Sequence, residues 1–275
     1  MEALESGRVV QNLLAKANLP PENVCQILRE SAGADGRMLM RMLNTLRTRA
    51  FLCLNNLVGS LGIDDLGGAD RLFHTWTELG KLCLESGPAA AAEGAAAAEG
   101  AAAAELMESA SSAMRAIVHK LAENENVESA SAPFAAVTKE DLAKMLEFGA
   151  SSEDPAVRTN VVNMAGNIGV MTVSSSGSEA AAEAVTQFLL EAAARDASLR
   201  VVGEALDKIF DMYAEDSTDA LCEKVGVVGK LKQLRTGLNI KMQKQSKKGE
   251  DSSMMKQTKV NLARFIKYKA QRGID

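Results

Sequence analysis

The chain has 275 residues, of which 47% are hydrophobic and only 4% aromatic, a composition typical of a soluble protein built from aliphatic helices. No run of about 18 apolar residues and no signal-peptide pattern occurs, so neither a membrane span nor secretion is expected. The formal net charge of −5 conceals an asymmetry. The part of the chain before Lys224 has 17 basic and 33 acidic residues, whereas the part from Lys224 onward has 14 basic and 3 acidic residues. Four scattered cysteines without a Cys-x-x-Cys indicate reduced thiols in the cytoplasm or nucleus.

A repeat of about 42 residues organises the chain. Residues 1–20 predict one leading helix, the second half of a missing pair, and an arginine at the head of an aliphatic helix then recurs at Arg115, Arg158 and Arg200. These spacings of 43 and 42 residues are typical of HEAT and armadillo repeats, which stack helix pairs. The fold class predicted is therefore an all-α solenoid, a single right-handed superhelix over residues 1–275. Its five predicted pairs are residues 21–62, 69–123, 137–170, 178–214 and 217–271.

The second pair contains an insertion of low complexity at residues 87–111, where the hexapeptide AAAAEG repeats. Gly94 and Gly100 each weaken a helix by about 1 kcal/mol, and the segment has no stripe of large apolar residues. We expect a loop or frayed helix between the two helices of the pair, with residues 88–105 packing against nothing and serving no specific role.

An acid and an arginine begin two of the predicted second helices at the same spacing. Asp154 precedes Pro155, which suits the first helical turn, so that Asp154 is expected to cap the helix while Arg158 follows one turn later. Asp196 and Arg200 repeat the spacing. Each arginine could reach back to its own acid or across to the acid of the next repeat. We interpret the four charged residues as a structural ladder.

Catalytic and ligand-binding motifs find little support. Gly226 and Gly229 before Lys230 lack the spacing and the Ser or Thr of a phosphate-binding loop. His74 and His119 have no cysteine or acid at zinc-ligand spacing, and no nucleophile motif with a base is present. We expect no enzyme activity, metal, cofactor or small-molecule substrate.

The basic C-terminal region, residues 240–275, admits three interpretations. Val260, Leu262, Phe265 and Ile266 predict an apolar face, so the lysines can be the solvated side of a capping repeat. A basic cluster can also contact RNA or another acidic partner, or act as a sorting signal.

The second helices of HEAT pairs line a concave surface, so polar residues beside their apolar stripes are candidate partner contacts. In the fourth pair the acids lie three and four residues apart, and an uncharged row corresponds to them one repeat earlier. An ordinary solvated helix face remains the alternative. The candidate residues are Glu204, Asp207, Asp211, Asn160, Asn163 and Asn167.

Three blocks of sequence resemble one family. The blocks AVRTNVVNMAGNIG, FLLEAAARDASLRVVGEALDKIFDMYAED and QTKVNLARFIKYK are similar to the C-terminal HEAT half of the symportin and HEAT repeat-containing protein three family. The resemblance extends over most of the chain from about residue 21. The family's armadillo half, N-terminal nuclear localisation signal and long acidic loop have no counterpart in this sequence, so we expect a fragment, a truncated form or a divergent member.

This resemblance implies an import adaptor and chaperone for the two ribosomal proteins of the 5S ribonucleoprotein, acting in nuclear import and ribosome biogenesis. It implies contact with an importin only if a further N-terminal half exists. The acidic body agrees with a cationic cargo. A generic HEAT scaffold and an RNA-binding protein acting through the basic C-terminal region remain the alternatives.

Overall fold

The computed structural model describes residues 34–86, 97–123, 134, 152–173, 179–246 and 253–274, and all regular structure in these ranges is helical, which confirms the all-α class. The chain divides into two compact units, Met1–Asn124 and Glu125–Asp275. The single right-handed superhelix stays a prediction. The helices are α1 (Ala34–Ser60), α2 (Ala69–Ser86), α3 (Ala97–Ala122), α4 (Pro155–Val173), α5 (Glu179–Arg195), α6 (Leu199–Met212), α7 (Asp219–Val225), α8 (Val227–Ser246) and α9 (Ser253–Gln271), with a 3-10 turn at Asp216–Thr218.

In the first unit, α3 packs against both α1 and α2. The core between these helices is largely aliphatic, as the composition leads one to expect, and its aromatic members include Phe51 and the chain's one tryptophan. Leu54 and Val58 of α1, Trp76 of α2, and Ile117 and Leu121 of α3 are all buried there. Helices α2 and α3 therefore correspond to the two members of the second predicted pair.

The insertion predicted at residues 87–111 is shorter than the sequence suggested. Helix α3 begins at Ala97 and continues through the rest of that segment, and Leu106, Ser109 and Ser111 are buried. Small residues can pack closely at a helix interface without forming a stripe of large apolar side chains. The hydropathy pattern therefore did not indicate that this part of the segment is buried. The part of the segment before Ala97 lies outside the described residues.

The second unit stacks its helices in two layers. Helix α6 lies between α4 and α9 in one layer, while α5 and α8 contact each other in the second layer and α5 also packs on both α4 and α6. Stacking of successive second helices against one another is the HEAT arrangement. Val161, Val185, Leu189, Val202 and Ile209 are buried between the layers.

Two glycines allow α4 and α6 to approach closely. A Cβ atom at Gly166 would lie 2.4 Å from the Cβ of Lys208, and one at Gly169 would lie 2.4 Å from the sulfur of Met212. Any larger residue at either position would overlap α6. The close approach brings polar side chains of α4 within hydrogen-bonding distance of α6.

Asp154 and Asp196 each accept a hydrogen bond from the backbone N–H two residues later, Asp154 directly before α4 and Asp196 three residues before the start of α6. The Oδ1 atom of Asp154 accepts a hydrogen bond of 2.8 Å from the backbone N–H of Ala156, and Oδ1 of Asp196 accepts one of 2.8 Å from that of Ser198. Each aspartate thereby satisfies a donor at the start of its helix that has no intrahelical partner.

Arg158 links the two repeats. Its Nε and Nη2 atoms donate to the two carboxylate oxygens of Asp196 at 2.7 and 3.0 Å, and its Nη1 donates to the carbonyl oxygens of Ser152 and Glu153. Both charged side chains are largely buried, with 14% and 10% exposure. Arg200 differs, because its side chain is exposed and forms no ion pair within the described part of the chain. The ladder thus has one observed rung, which reaches across to the next repeat.

The first helix of the fifth predicted pair is split. The short α7 ends at Gly226, whose φ of 67° is the left-handed conformation common at helix C-termini, and α8 begins at the next residue. The sequence VGVVGKL therefore marks a break between two helices.

The glycine contact between α4 and α6 predicts opposite effects of the same substitution at two sites. Alanine is the better helix former by about 1 kcal/mol, but Gly166→Ala places a Cβ against Lys208 and should destabilise the protein by about 1 to 3 kcal/mol. Gly237→Ala in α8 meets nothing within 4 Å and should stabilise it by up to about 1 kcal/mol. Denaturant unfolding of both variants tests this, and equal shifts would contradict the close approach.

The ladder predicts unequal effects of removing its arginines. Arg158→Ala leaves the partly buried carboxylate of Asp196 and two carbonyl oxygens without their donor, so the free energy of unfolding should fall by about 1 to 3 kcal/mol. Arg200→Ala removes an exposed side chain and should change it by less than about 0.5 kcal/mol. Comparable losses in thermal or denaturant unfolding would show that Arg200 also supports the fold.

Candidate functional site

A chain of hydrogen bonds joins the polar faces of α4 and α6. Lys208 Nζ donates to Asn167 Oδ1 at 3.0 Å, Asn167 Nδ2 donates to Asn163 Oδ1 at 3.3 Å, and Asn163 Nδ2 donates to Glu204 Oε1 at 2.5 Å. Asn167 is buried, whereas Asn163, Glu204 and Lys208 are partly exposed. This chain of hydrogen bonds runs from α6 to two asparagines of α4 and back to α6, and it fixes the positions of Glu204 and Lys208.

Two further acids extend this face toward solvent. Asp207 and Asp211 are exposed on α6, and Asp211 lies 3.4 Å from Lys208 Nζ. Although the Asp207 side chain is exposed at the surface, the protein around its carboxyl group partly displaces water, and this desolvation is the first cause that raises its pKa above the ordinary value. Repulsion by Glu204 and Asp211 raises the pKa further, while Lys208 partly opposes the shift. The face therefore holds carboxylates that repel one another. We call Glu204, Asp207 and Asp211, with the asparagines of α4, the acidic face.

The structure places the six residues predicted to contact a partner on neighbouring parts of α4 and α6. It differs from the prediction in that one of the asparagines is buried and a lysine lies among the acids. Asn160 lies one turn before Asn163 and is partly exposed, whereas Asn167 is buried. The sequence reasoning missed Lys208, which lies among the three acids. Its position four residues after Glu204 was a usable signal, because residues at that spacing are neighbours on a helix.

Helix α9 is attached to the start of α7 by a second group of charges. Lys269 is fully buried, and its Nζ lies 2.5 Å from Asp219 Oδ1, while Arg272 Nε donates to Asp219 Oδ2 at 2.5 Å. Arg272 also pairs with Asp216 at 2.9 Å, and the Tyr268 hydroxyl donates to Asp216 at 2.6 Å. Five side chains thus fasten the end of α9 to the first residue of α7 and the turn before it.

The predicted apolar face of α9 is partly wrong. Leu262, Phe265 and Ile266 are buried, but Val260 is 43% exposed and Lys269 takes a buried position instead. The long aliphatic stem of lysine can occupy an apolar environment when its ammonium group meets a carboxylate, and a hydropathy pattern does not register this.

Metal-binding clusters and reactive side chains are the other sites that titratable groups could form within the described residues. No group of three metal-binding side chains occurs among the described residues, and no helix there has the length and apolar character to cross a membrane. Burial raises the pKa of the Cys222 thiol to about 11, so it is protonated at neutral pH and a poor nucleophile. His74 and His119 are exposed, and His119 lies 3.2 Å from Glu123. The arrangement favours binding of charged partners.

Comparisons with known proteins agree with a repeat scaffold of this kind. The family described as SYO1-like, TPR repeats, matches residues 1–273. The chain belongs to this SYO1-like family. HEAT repeat-containing protein 3 of Mus musculus is 31% identical over 270 residues, which are 97% of this chain and 37% of that protein. The human protein of the same name is 30% identical over 234 residues, 84% of this chain and 32% of that protein.

The family resemblance inferred from the sequence blocks is thereby confirmed, as is the helical-repeat solenoid class. The chain spans about a third of the length of these relatives. No solved structure matches it. TPR and HEAT repeats are both stacked helix pairs, and the marker spacing of 42 to 43 residues fits the longer HEAT period.

The anchor of α9 predicts an asymmetric mutational response with a defined pH dependence. Asp219→Ala leaves the buried Lys269 ammonium without its carboxylate and should cost about 3 to 5 kcal/mol. Lys269→Met should cost less, because methionine fills a similar volume and Asp219 keeps Arg272. Thermal unfolding of the two variants tests this order, and a larger loss for Lys269→Met would contradict it.

The pKa of Asp219 gives the sign of the pH effect. Desolvation alone would raise it, but the hydrogen bonds and charges of Lys269 and Arg272 outweigh desolvation and lower it. The stabilisation is therefore present above the unfolded pKa of about 3.9 and is lost as pH falls through the lower folded value. Asp219→Ala should flatten the decline of stability below about pH 4 relative to the wild type.

Proposed function

We propose that this chain is a binding scaffold for the cationic ribosomal proteins of the 5S ribonucleoprotein, in their nuclear import and their assembly into the large ribosomal subunit. The resemblance of the three sequence blocks to the symportin family suggests the cargo, and the observation that carries the proposal is the acidic face of α6. We place the chain in the cytoplasm and nucleus and assign it no catalytic role. Recruitment of an importin would require a segment beyond these residues.

The electrostatics of Asp207 favour a cationic partner. Its raised pKa means that the ionised carboxylate is disfavoured by burial and by the charges of Glu204 and Asp211. A lysine or arginine within about 4 to 6 Å favours the ionised form and removes part of this penalty. Binding of a cationic segment is therefore coupled to ionisation of Asp207, and the affinity increases with pH across the titration of that carboxyl group.

Lys208 does not cancel the charge that the acidic face presents to solvent. Its side chain is only 15% exposed, and its ammonium group is directed to Asn167 of α4 as well as to Asp211. Asp207 and Asp211 are both exposed, one helical turn apart. The charges that an approaching protein meets first are therefore negative.

The hydrogen-bond chain also orders part of the face before a partner arrives. Glu204 is held by Asn163, and Asn163 is held by the buried Asn167. Side chains that are already ordered lose less conformational entropy on binding, which leaves more of the interaction energy for affinity.

Charge reversal of the acidic face tests the proposal. The triple variant Glu204→Lys, Asp207→Lys, Asp211→Lys should bind purified ribosomal proteins of the 5S particle at least about tenfold more weakly, or about 1.4 kcal/mol. The wild-type affinity should fall as salt is raised, because contacts at the rim are screened over about 8 Å at physiological ionic strength. Titrations of both proteins with each cargo and with 5S RNA at two salt concentrations give these values.

A matched control carries the same change in net charge elsewhere in the second unit. Glu153→Lys, Glu215→Lys, Glu223→Lys reverses three exposed glutamates away from the acidic face and should retain at least half of the wild-type affinity. Thermal unfolding verifies that both variants remain folded. If both variants weaken binding equally, the loss reflects net charge and not the acidic face. If the chain binds 5S RNA but not the ribosomal proteins, its function is RNA binding and the adaptor proposal is wrong.

A further inference from the structure

The outward side of α9 has a regular pattern that the acidic face does not use. Positions on this side recur at helical spacing, and five of the six lie two residues before a buried position of the same helix. Two residues correspond to about 200° around a helix, so this side is directed away from the core. Its residues are Lys256, Lys259, Val260, Ala263, Arg264 and Lys267, which line a shallow open groove. We call these six residues the basic groove.

Within the described residues, no acid neutralises the charges of the basic groove. Lys256, Lys259, Arg264 and Lys267 form no ion pair with any residue in the described ranges. The sequences of α8 and α9, which pack together, contain no aspartate or glutamate. Asp219 and Asp216 face the end of α9, and both are engaged by Lys269 and Arg272.

An apolar floor lies between these cations. Val260 is 43% exposed and Ala263 follows it by three residues, so the two side chains are neighbours on the helix surface. Lys259 and Arg264 lie on the two sides of this floor, and Lys256 and Lys267 lie at its two ends, about 16 Å or three helical turns apart. An apolar strip with cations on both sides complements a helix that has an apolar strip with acids on both sides.

The surroundings favour a protein partner over nucleic acid. Binding of single-stranded RNA relies on aromatic side chains that stack with bases, and the groove has none. The nearby Tyr268 is engaged through its hydroxyl with Asp216 and through its ring with Lys269 and Arg272. A phosphate backbone would leave Val260 without an apolar contact, whereas an amphipathic helix would bury it.

We propose that the basic groove of α9 is a docking site for an acidic amphipathic helix of a protein partner. The basic groove is cationic and lies on α9, whereas the acidic face is formed by α4 and α6. The chain then presents two surfaces of opposite sign in the same unit, one for a cationic cargo and one for an acidic partner. The buried pairing of Lys269 with Asp219 holds α9 in place, so the groove is formed before the partner binds.

Fluorescence anisotropy with synthetic peptides and the full chain tests the proposal. The probe is a labelled peptide of about 18 residues with leucines at helical spacing and glutamates on both flanks. A second peptide has the same composition in an order that destroys the apolar strip, and a single-stranded RNA of about 20 nucleotides is the third probe. The amphipathic peptide should bind at least about tenfold more tightly than either other probe.

Two variants of the groove separate charge from apolar contact. Lys259→Glu, Arg264→Glu should weaken binding of the amphipathic peptide by at least about tenfold, and Val260→Gln should weaken it by about fivefold. The control Arg195→Glu, Arg200→Glu makes the same change in net charge at exposed arginines of α5 and α6 and should alter it by less than about twofold. Binding of the cargo proteins should be unchanged by Val260→Gln, which separates this proposal from the function of the acidic face.

Other results would overturn the proposal. Equal binding of the two peptides, or no effect of Val260→Gln, would mean that only charge is recognised. RNA binding tighter than peptide binding would assign the groove to nucleic acid. Absence of peptide binding at about 1 mM would leave α9 as a solvated capping helix.

Discussion

The close approach of α4 and α6 at Gly166 and Gly169 is the constraint on which the second unit depends. Since α4 has no side chain at these two positions, Lys208 and Met212 of α6 pack directly on its backbone. The polar edges of the two helices thereby come within hydrogen-bonding reach, and the asparagines of α4 hold Glu204 and Lys208 of α6. The ion pair between Arg158 and Asp196 also joins the repeat that contains α4 to the repeat that contains α6. Packing thus determines which charges are held inside and which remain on the surface. Further along the layer, α9 packs on α6 and presents charge of the opposite sign.

The features that could be predicted from the sequence are those with local signals. The recurrence of Arg115, Arg158 and Arg200 indicates the helix pair and its length, and the Asp-Pro pair at residue 154 indicates where α4 begins. Helical spacing also places the three acids of α6 on one side of that helix. Each of these signals is contained within one or two turns of chain, where spacing alone decides which side chains are neighbours.

The features that could not be predicted depend on contacts between distant segments. Arg200 repeats the motif of Arg158, yet it is exposed, because a motif does not show whether the next repeat supplies an acid. Lys269 reads as one more solvated lysine until Asp219, fifty residues earlier, is placed beside it. The end of the insertion at residues 87–111 was misjudged for a related reason, since alanine and serine become core residues only where another helix lies against them.

The double engagement of Asp196 couples two neighbouring repeats. One of its oxygens accepts hydrogen bonds both from the backbone N–H of Ser198, the residue before α6, and from Arg158. Arg158 also donates to the backbone that leads into α4. If the start of α6 unfolds locally, the Asp196 carboxylate no longer holds Arg158 in position. The hydrogen bonds from Arg158 to the backbone before α4 are then weakened as well. Local opening is then shared between adjacent repeats instead of being confined to one. Repeats that are linked in this way resist local unfolding of a single repeat, and they unfold cooperatively with their neighbours.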